Sequence, residues 1–275
     1  SATTDSQISV VNGGTLVLPP EALRRGDQYK AVAGGGELIY GLTERFGVYG
    51  GADVRARWYS DMDTSDNLTV EGRVGFAYNG AASNLRVGVA GGEYWLDNQK
   101  IRNSIGLITD YRYLVGKQDQ ITANVTGMRY RFPPEAFSLQ DFDLYQAALG
   151  WLHSAEDGNA AVGFTVLGGK EDATRDRPDG DKPFWGLRLV LQGVLLDSVS
   201  AFLVGGAQVG KYSLVNDLFG VRREDKLYDA TAGLSWTFAK GWSLRPQVVY
   251  YKNDSNIPLY QYDRTDTSIN LRVDF

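Results

Sequence analysis

Apolar and polar residues alternate along most of this chain. The segments Phe46–Trp58, Tyr228–Phe238 and Ile269–Phe275 carry an apolar, glycine or aromatic residue at nearly every second position. A period of two is the side-chain repeat of a β-strand, and we find no segment with the repeat of a good helix. The pattern therefore predicts an all-β protein.

The length of these segments and their aromatic ends favour strands that cross a membrane. A tilted transmembrane strand needs roughly 9–11 residues, and Trp, Tyr and Phe rings collect at the two water interfaces. The alternative is a soluble β-sandwich or lipocalin-like barrel, whose apolar positions would be buried. Strands in soluble proteins usually have only about five or six residues. The pattern thus favours a transmembrane barrel.

Thirteen strands follow from the alternation, and one more is inferred from parity. Bacterial single-chain barrels have an even number of strands. The additional strand is therefore assigned to Gln7–Pro19, where the alternation is poor, followed by a loop up to residue 28. The prediction is one domain over residues 1–275, an antiparallel up-and-down transmembrane β-barrel of about 14 strands, with 12 as the alternative. The thirteen patterned strands are predicted at 29–40, 45–58, 68–79, 84–96, 102–114, 119–131, 142–153, 160–170, 183–195, 198–212, 226–238, 242–253 and 263–275.

The predicted connections alternate between short and long. Short links such as "GLTE" and "AKG" alternate with long polar ones such as "YSDMDTSDN" and "RFPPEAFSLQD". Outer-membrane barrels have short periplasmic turns and longer extracellular loops. Counting back from the C-terminus places the short turns on the periplasmic side, together with both chain ends.

Composition narrows the class of protein further. The chain of 275 residues has 33 Gly, 16 Tyr and no Cys, with a formal net charge of −5. The absence of Cys excludes a disulfide framework and a Cys-ligated metal, and the net charge argues against nucleic acid as a partner. No run approaches the roughly 18 apolar residues of a spanning helix. The first residues lack the features of a signal peptide, so we expect a bacterial outer-membrane protein whose signal has been removed.

The polar positions of the predicted strands carry many charges, which we expect to line the lumen because charge is costly in lipid. Nine arginines and six acidic residues give an estimated surplus of about three positive charges. They either pair into a ladder that stiffens the wall or line a polar conduit that favours anions, and both can hold together. The candidate lumen-lining residues are Asp53, Arg55, Arg57, Glu71, Arg73, Arg86, Asp110, Arg112, Arg188, Asp229, Arg245, Arg264, Asp266, Arg272 and Asp274.

Catalytic and metal-binding chemistry is not indicated. His153 and Ser154 are adjacent, but neighbouring strand residues point to opposite faces, so the pair is interpreted as part of a rim. The acidic loops "DMDTSDN" and "DRPDGDK" lack the register of a calcium loop. They are interpreted as solvated loops, with weak divalent-ion binding that bridges lipopolysaccharide phosphates as the alternative. We therefore predict no enzyme, no cofactor and no dedicated metal site.

The C-terminal segment, residues 241–275, contains the motifs Gly241-Trp242, Ser255-Asn256-Ile257, Tyr260-x-Tyr262-x-Arg264 and Arg272-x-x-Phe275. With these motifs it resembles the end of the surface lipoprotein assembly modifier (Slam) barrels. The resemblance implies a fourteen-stranded barrel that moves lipoproteins to the cell surface. Members of that family normally carry a periplasmic helical-repeat domain before the barrel, whereas this chain begins at its first predicted strand.

Three functions stay open at this point. The first is a translocation or assembly pore for lipoprotein clients, and the second is a diffusion porin for small solutes with a mild anion preference. The third is a structural or adhesion barrel with a closed lumen. In each case the expected partners are outer-membrane lipid, lipopolysaccharide and the barrel assembly machinery, which would recognise the terminal aromatic residue Phe275.

Overall fold

The computed structural model describes residues 7–10, 15–17 and 26–273. Two short strands, β1 and β2, form a separate two-stranded sheet, and thirteen long strands form one antiparallel sheet in which each strand pairs with its neighbours in sequence. The strands are β1 Gln7–Ser9, β2 Thr15–Val17, β3 Tyr29–Gly41, β4 Phe46–Tyr59, β5 Asn67–Asn79, β6 Ser83–Leu96, β7 Gln99–Val115, β8 Asp119–Arg131, β9 Phe142–Ser154, β10 Ala160–Ala173, β11 Lys182–Leu196, β12 Val199–Asn216, β13 Val221–Ala239, β14 Trp242–Ser255 and β15 Tyr262–Val273.

The sheet is curled into a barrel. The hydroxyl of Tyr59 in β4 lies 3.4 Å from Nη2 of Arg264 in β15, although eleven strand-to-strand steps separate the two in the sheet. At about 4.8 Å a step, those strands would lie roughly 50 Å apart in a flat sheet. The contact therefore requires the two edges to approach each other, and we call the concave face of this curled sheet the inner face.

The exposure of side chains identifies the outer face. Leu149, Leu189 and Ile269 point outward and are exposed, together with most other large apolar residues, and few apolar side chains are buried. A water-soluble protein would bury these large apolar side chains. The fold class predicted from the sequence, an all-β antiparallel up-and-down transmembrane barrel, is thus confirmed. Within the described ranges, no helix is long and apolar enough to cross a bilayer.

The connections separate the two ends of the barrel. One end, which we call the short-turn end, has the links 42–45, 80–82, 116–118, 155–159, 197–198 and 240–241. The other, the long-loop end, has the links 60–66, 97–98, 132–141, 174–181, 217–220 and 256–261. Two of the latter are short, the four-residue link 217–220 and the two-residue turn Asp97-Asn98. Asp97 and Asn98 adopt positive φ angles of 48° and 58°, as a type I′ hairpin turn requires.

The predicted strand Gln7–Pro19 is wrong. Residues 7–9 pair antiparallel with residues 15–17 in the two-stranded sheet, so the chain reverses within this segment instead of joining the barrel. Among the described residues the barrel sheet therefore has thirteen strands. Residues 11–14, 18 and 19 of the predicted strand lie outside the described ranges.

A seam separates the first and last strands of the sheet. In the part of the chain that the structure describes, no ladder joins β3 to β15. Leu38 and Ile39 point to opposite faces of β3, yet they are 83% and 54% exposed, as expected for an edge strand. Both edge strands run from the long-loop end to the short-turn end, so a single strand between them would be antiparallel to both.

The exposed apolar side chains of the outer face predict how the protein behaves in solution. We expect the chain to fold only in detergent micelles or lipid, because water would otherwise cover the exposed apolar surface. Circular dichroism should show β-structure, and the unheated protein should migrate differently from the boiled protein on a gel. A monodisperse, folded protein in buffer without detergent would contradict the membrane assignment.

Candidate functional site on the inner face

The strand register assigns every predicted lumen residue that the structure describes to one face. Directly opposite residues in neighbouring strands share a face, and the pairs Asp53–Glu71 and Arg86–Asp110 show this for four of them. Following the register from β3 to β15 places the others on the same, inner face. Asp274 and the terminal Phe275 lie outside the described residues. The role of these side chains as lumen lining stays a prediction.

Sequence reasoning missed several charged residues on this face. Glu37 lies next to three consecutive glycines, which hid the alternation, and Arg102 is the first residue of a predicted strand. The other missed residues lie at strand ends that extend past their predicted bounds. The alternation that continues there was an available signal. The missed residues are Glu37, Arg102, Glu171, Lys182, Arg223 and Asp225.

An ion-pair network crosses the first four strands of the sheet. Glu37 accepts hydrogen bonds from Arg73 Nε at 2.9 Å and from Arg86 Nη1 at 2.8 Å. Arg73 also pairs with Asp53. Glu37 and Arg86 lie three strands apart, so their side chains meet because the sheet is concave here. This network corresponds to the charge ladder considered from the sequence.

Tyr49 lies flat against the wall beneath this network. It is 3% exposed, and Arg86 stacks over its ring at 5.4 Å. Glycines 75 and 88 make the space for it, since a Cβ at Gly75 would lie 2.9 Å from Tyr49 Cε1 and one at Gly88 2.5 Å from the hydroxyl oxygen. The inner glycines therefore allow an aromatic ring to support the arginine.

A second, more buried ion cluster closes part of the long-loop end. Tyr212 of β12 is surrounded by Arg177, Lys182 and Arg223, whose cationic atoms lie 5.4, 5.7 and 4.6 Å from its ring centroid. Each cation has a carboxylate partner, so the cluster is close to neutral. The ion pairs are Arg177–Glu171 at 3.0 Å, Lys182–Glu171 at 2.9 Å, Arg223–Asp225 at 2.7 Å and Arg223–Asp179 at 3.5 Å.

The loop that supplies Arg177 and Asp179 is not solvated as predicted. Both residues are buried, and Asn216 donates a hydrogen bond of 2.6 Å to Asp179. At the end of the loop Asp181 accepts the backbone N–H of residue 173 at 2.9 Å, and the hydrogen bond from Lys170 lowers the pKa of its carboxyl. The loop therefore folds onto the strands through its charged residues.

Other inner-face cations stay exposed. Arg55 and Arg112 have no ion-pair partner among the described residues, whereas Arg188 is paired with Asp229 at 2.6 Å. All three arginines are exposed although they point inward. In a barrel filled by its own side chains these positions would be buried. The described residues thus leave polar, water-accessible space along part of the inner face.

The neighbouring residues His153 and Ser154 do not form a catalytic pair. His153 lies on the outer face, where its Nδ1 is 2.9 Å from Asp119 Oδ1, and Trp151 Nε1 donates to the same oxygen at 3.0 Å. Ser154 lies on the inner face, opposite residue 161. The two side chains therefore cannot act on one substrate. Among the described residues there is also no group of three or more His, Asp or Glu placed to hold a metal ion.

No family model matches the chain, and no curated protein matches it. Among the solved structures that are similar is a protein named copper transporter OprC, with a TM-score of 0.49 and 10% sequence identity. The alignment covers 83% of this chain and 48% of that one, so this chain spans about half of its length.

Proposed function

We propose that this protein is a channel of the bacterial outer membrane through which small polar solutes, preferentially anions, cross the bilayer. The observation that carries the proposal is the exposed inner-face arginines, of which Arg55 and Arg112 lack carboxylate partners within the described ranges. Charged rings of one sign favour permeant ions of the other sign. The chain acts in this proposal as a channel and not as an enzyme.

Location and partners follow from the architecture. Barrels with long loops at one end and short turns at the other are typical of outer membranes, where the long loops are extracellular. The long-loop end therefore faces the cell exterior. The apolar outer face contacts lipid, including lipopolysaccharide in the outer leaflet. The barrel assembly machinery is the expected folding partner.

Planar-bilayer recordings test the channel and its preference. We expect an open channel with mild anion selectivity that fades as salt rises, because screening at ~0.1 M salt limits the range of charge to about 10 Å. The double substitution Arg55→Ser and Arg57→Ser should weaken this selectivity. The matched control is Lys226→Ser with Lys252→Ser, which removes the same charge from exposed positions of the outer face.

Two results would refute this function. One is a cation selectivity that the Arg55 and Arg57 double variant leaves unchanged, which would mean that the inner face does not set the preference. The other is the complete absence of conductance from folded protein. An equal loss of selectivity in the lysine control would assign the effect to net charge and would also count against the proposal.

Polypeptide translocation is the second candidate, and the seam between β3 and β15 favours it. A barrel with unpaired edge strands could pass an extended chain sideways, since such edges accept another strand. The resemblance of residues 241–275 to Slam barrels points to surface lipoproteins as clients. Photocrosslinking residues at Leu38 and Ile269, on the two sides of the seam, should then capture lipoproteins in cells. The same residue at Leu149, which is also exposed but lies on a strand away from the seam, should not.

A further inference from the structure

Arginine and tyrosine side chains meet on the inner face near the long-loop end, on the side that contains the seam. Four residues lie directly opposite one another on neighbouring strands and form one row across the sheet: Arg55 of β4, residue 69 of β5, Tyr94 of β6 and Arg102 of β7. Arg57 lies in the next row toward the long-loop end. We call the following residues the arginine–tyrosine cluster: Arg57, Arg102, Arg264, Tyr29, Tyr59, Tyr94 and Tyr130.

One hydroxyl joins two of the arginines. Tyr59 Oη accepts from Arg57 Nη1 at 3.3 Å and from Arg264 Nη2 at 3.4 Å. A tyrosine hydroxyl that accepts in this way keeps its own proton for donation. The group therefore presents a phenolic donor between two guanidinium groups.

The other contacts of these arginines are aromatic and not acidic. The Arg57 guanidinium stacks 4.3 Å from the centre of the Tyr29 ring. The Arg102 guanidinium lies 5.7 Å from the ring of Tyr94 and 5.2 Å from that of Tyr130. In the described part of the chain neither arginine has a carboxylate within ion-pair distance. Stacking orients a guanidinium while leaving its charge uncompensated and its N–H edge available.

The uncompensated charge of its arginines distinguishes the cluster from the two ion-pair networks. Arg73 and Arg223 each contact two carboxylates, and their charges are neutralised. In the arginine–tyrosine cluster only Arg264 is paired, with Asp266 at 2.7 Å. Two further acids lie nearby. Asp66 Oδ1 accepts the Tyr59 backbone N–H at 2.7 Å, and Glu71 lies one row further from the long-loop end, opposite Asp53, which is paired with Arg73. With Arg55 counted, four arginines lie against these three acids, Asp266 included, so the region stays positive.

From this arrangement we infer that the arginine–tyrosine cluster is a binding site for phosphate-bearing small solutes at the outer opening of the channel. The inference deepens the proposed function and rests on it. Planar guanidinium groups match the oxygen pairs of a phosphate, and such charge-assisted hydrogen bonds are about twice as strong as neutral ones. The Tyr59 hydroxyl adds a donor, and the stacked rings hold the arginines in place before the solute arrives.

Titration of the folded barrel in detergent micelles with inorganic pyrophosphate, followed by calorimetry, tests the site. The wild-type protein should bind saturably, and the double variant Arg57→Gln with Arg102→Gln should bind about tenfold or more weakly. The matched control is Arg245→Gln with Arg272→Gln, two inner-face arginines near the short-turn end, and it should bind as the wild type does. Heat-dependent gel mobility confirms that each variant is folded.

The outcomes separate this inference from the proposed channel. Equal weakening in both double variants would show only a general electrostatic attraction and would overturn the site. Anion-selective conductance without saturable pyrophosphate binding would overturn the site and leave the channel intact. In nanodiscs, loss of binding when anionic phospholipid replaces zwitterionic lipid would mean that the cluster holds a lipid headgroup, which refutes the solute site.

Discussion

Replacing Arg223 by Met should lower the free energy of unfolding by about 3–5 kcal/mol, because the change leaves buried carboxylates without their cation. The Arg223 side chain is 15% exposed and that of Asp225 is 4% exposed. Arg223 also contacts Asp179, and its guanidinium lies 3.4 Å from the centre of the Tyr260 ring. The substitution therefore removes two ion pairs and a stacked aromatic contact together. Equilibrium unfolding in lipid vesicles with guanidinium chloride measures the effect.

The neighbouring residue supplies the control. Arg222 is exposed, so Arg222→Met should cost far less. The double variant Arg223→Met with Asp225→Leu should recover part of the loss, since apolar groups of similar volume often replace a buried ion pair without penalty. Equal losses for the Arg222 and Arg223 variants would show that the buried cluster does not stabilise the long-loop end.

The sequence predicted the strands and their faces well, for a physical reason. A side-chain period of two in β12 or β14 is imposed by lipid on one face and polar surroundings on the other, so it is written into local sequence. All thirteen patterned strands are observed. The largest differences lie at the long-loop end, where β13 begins at Val221 and not at residue 226, and β12 continues to Asn216.

The long-loop cluster could not be predicted in the same way. Arg177 and Asp179 belong to a polar segment that looks solvated, and their burial depends on Tyr212 and Asn216 from a distant strand. Such contacts depend on which loops fold inward, and residue spacing carries no information about that. The first predicted strand failed for a related reason. The parity argument was global, whereas residues 7–9 and 15–17 pair locally with each other.

The arginine–tyrosine cluster could be predicted from the sequence only in part. The inward positions of Arg57 and Arg264 were predicted from the alternation. Their meeting at Tyr59 depends on the curl of the sheet, which brings the last strand next to the first ones. The sequence thus supplied the face of each residue, and only the three-dimensional structure supplied the contact.

Replacing Leu189 by Arg should destabilise the barrel by about 2–4 kcal/mol, the cost of an arginine on the lipid face near the bilayer midplane. Leu189 lies in the middle of β11, between Phe164 of β10 and Gly205 of β12 on the outer face. At this depth the guanidinium cannot easily reach either water interface. The same change at Gln192, on the inner face of the same strand and exposed, should cost much less.

Unfolding titrations of both variants in vesicles of one lipid provide the measurement. The comparison holds strand, added charge and side-chain volume nearly constant, so the difference reports the face of the sheet alone. Thicker bilayers should increase the cost at Leu189 and leave that at Gln192 unchanged, because only the outer residue is surrounded by hydrocarbon. Equal losses at the two positions, or a larger loss at Gln192, would mean that the outer face of β11 does not contact lipid. The channel proposal would then fail with it, since an aqueous inner face requires an apolar outer one.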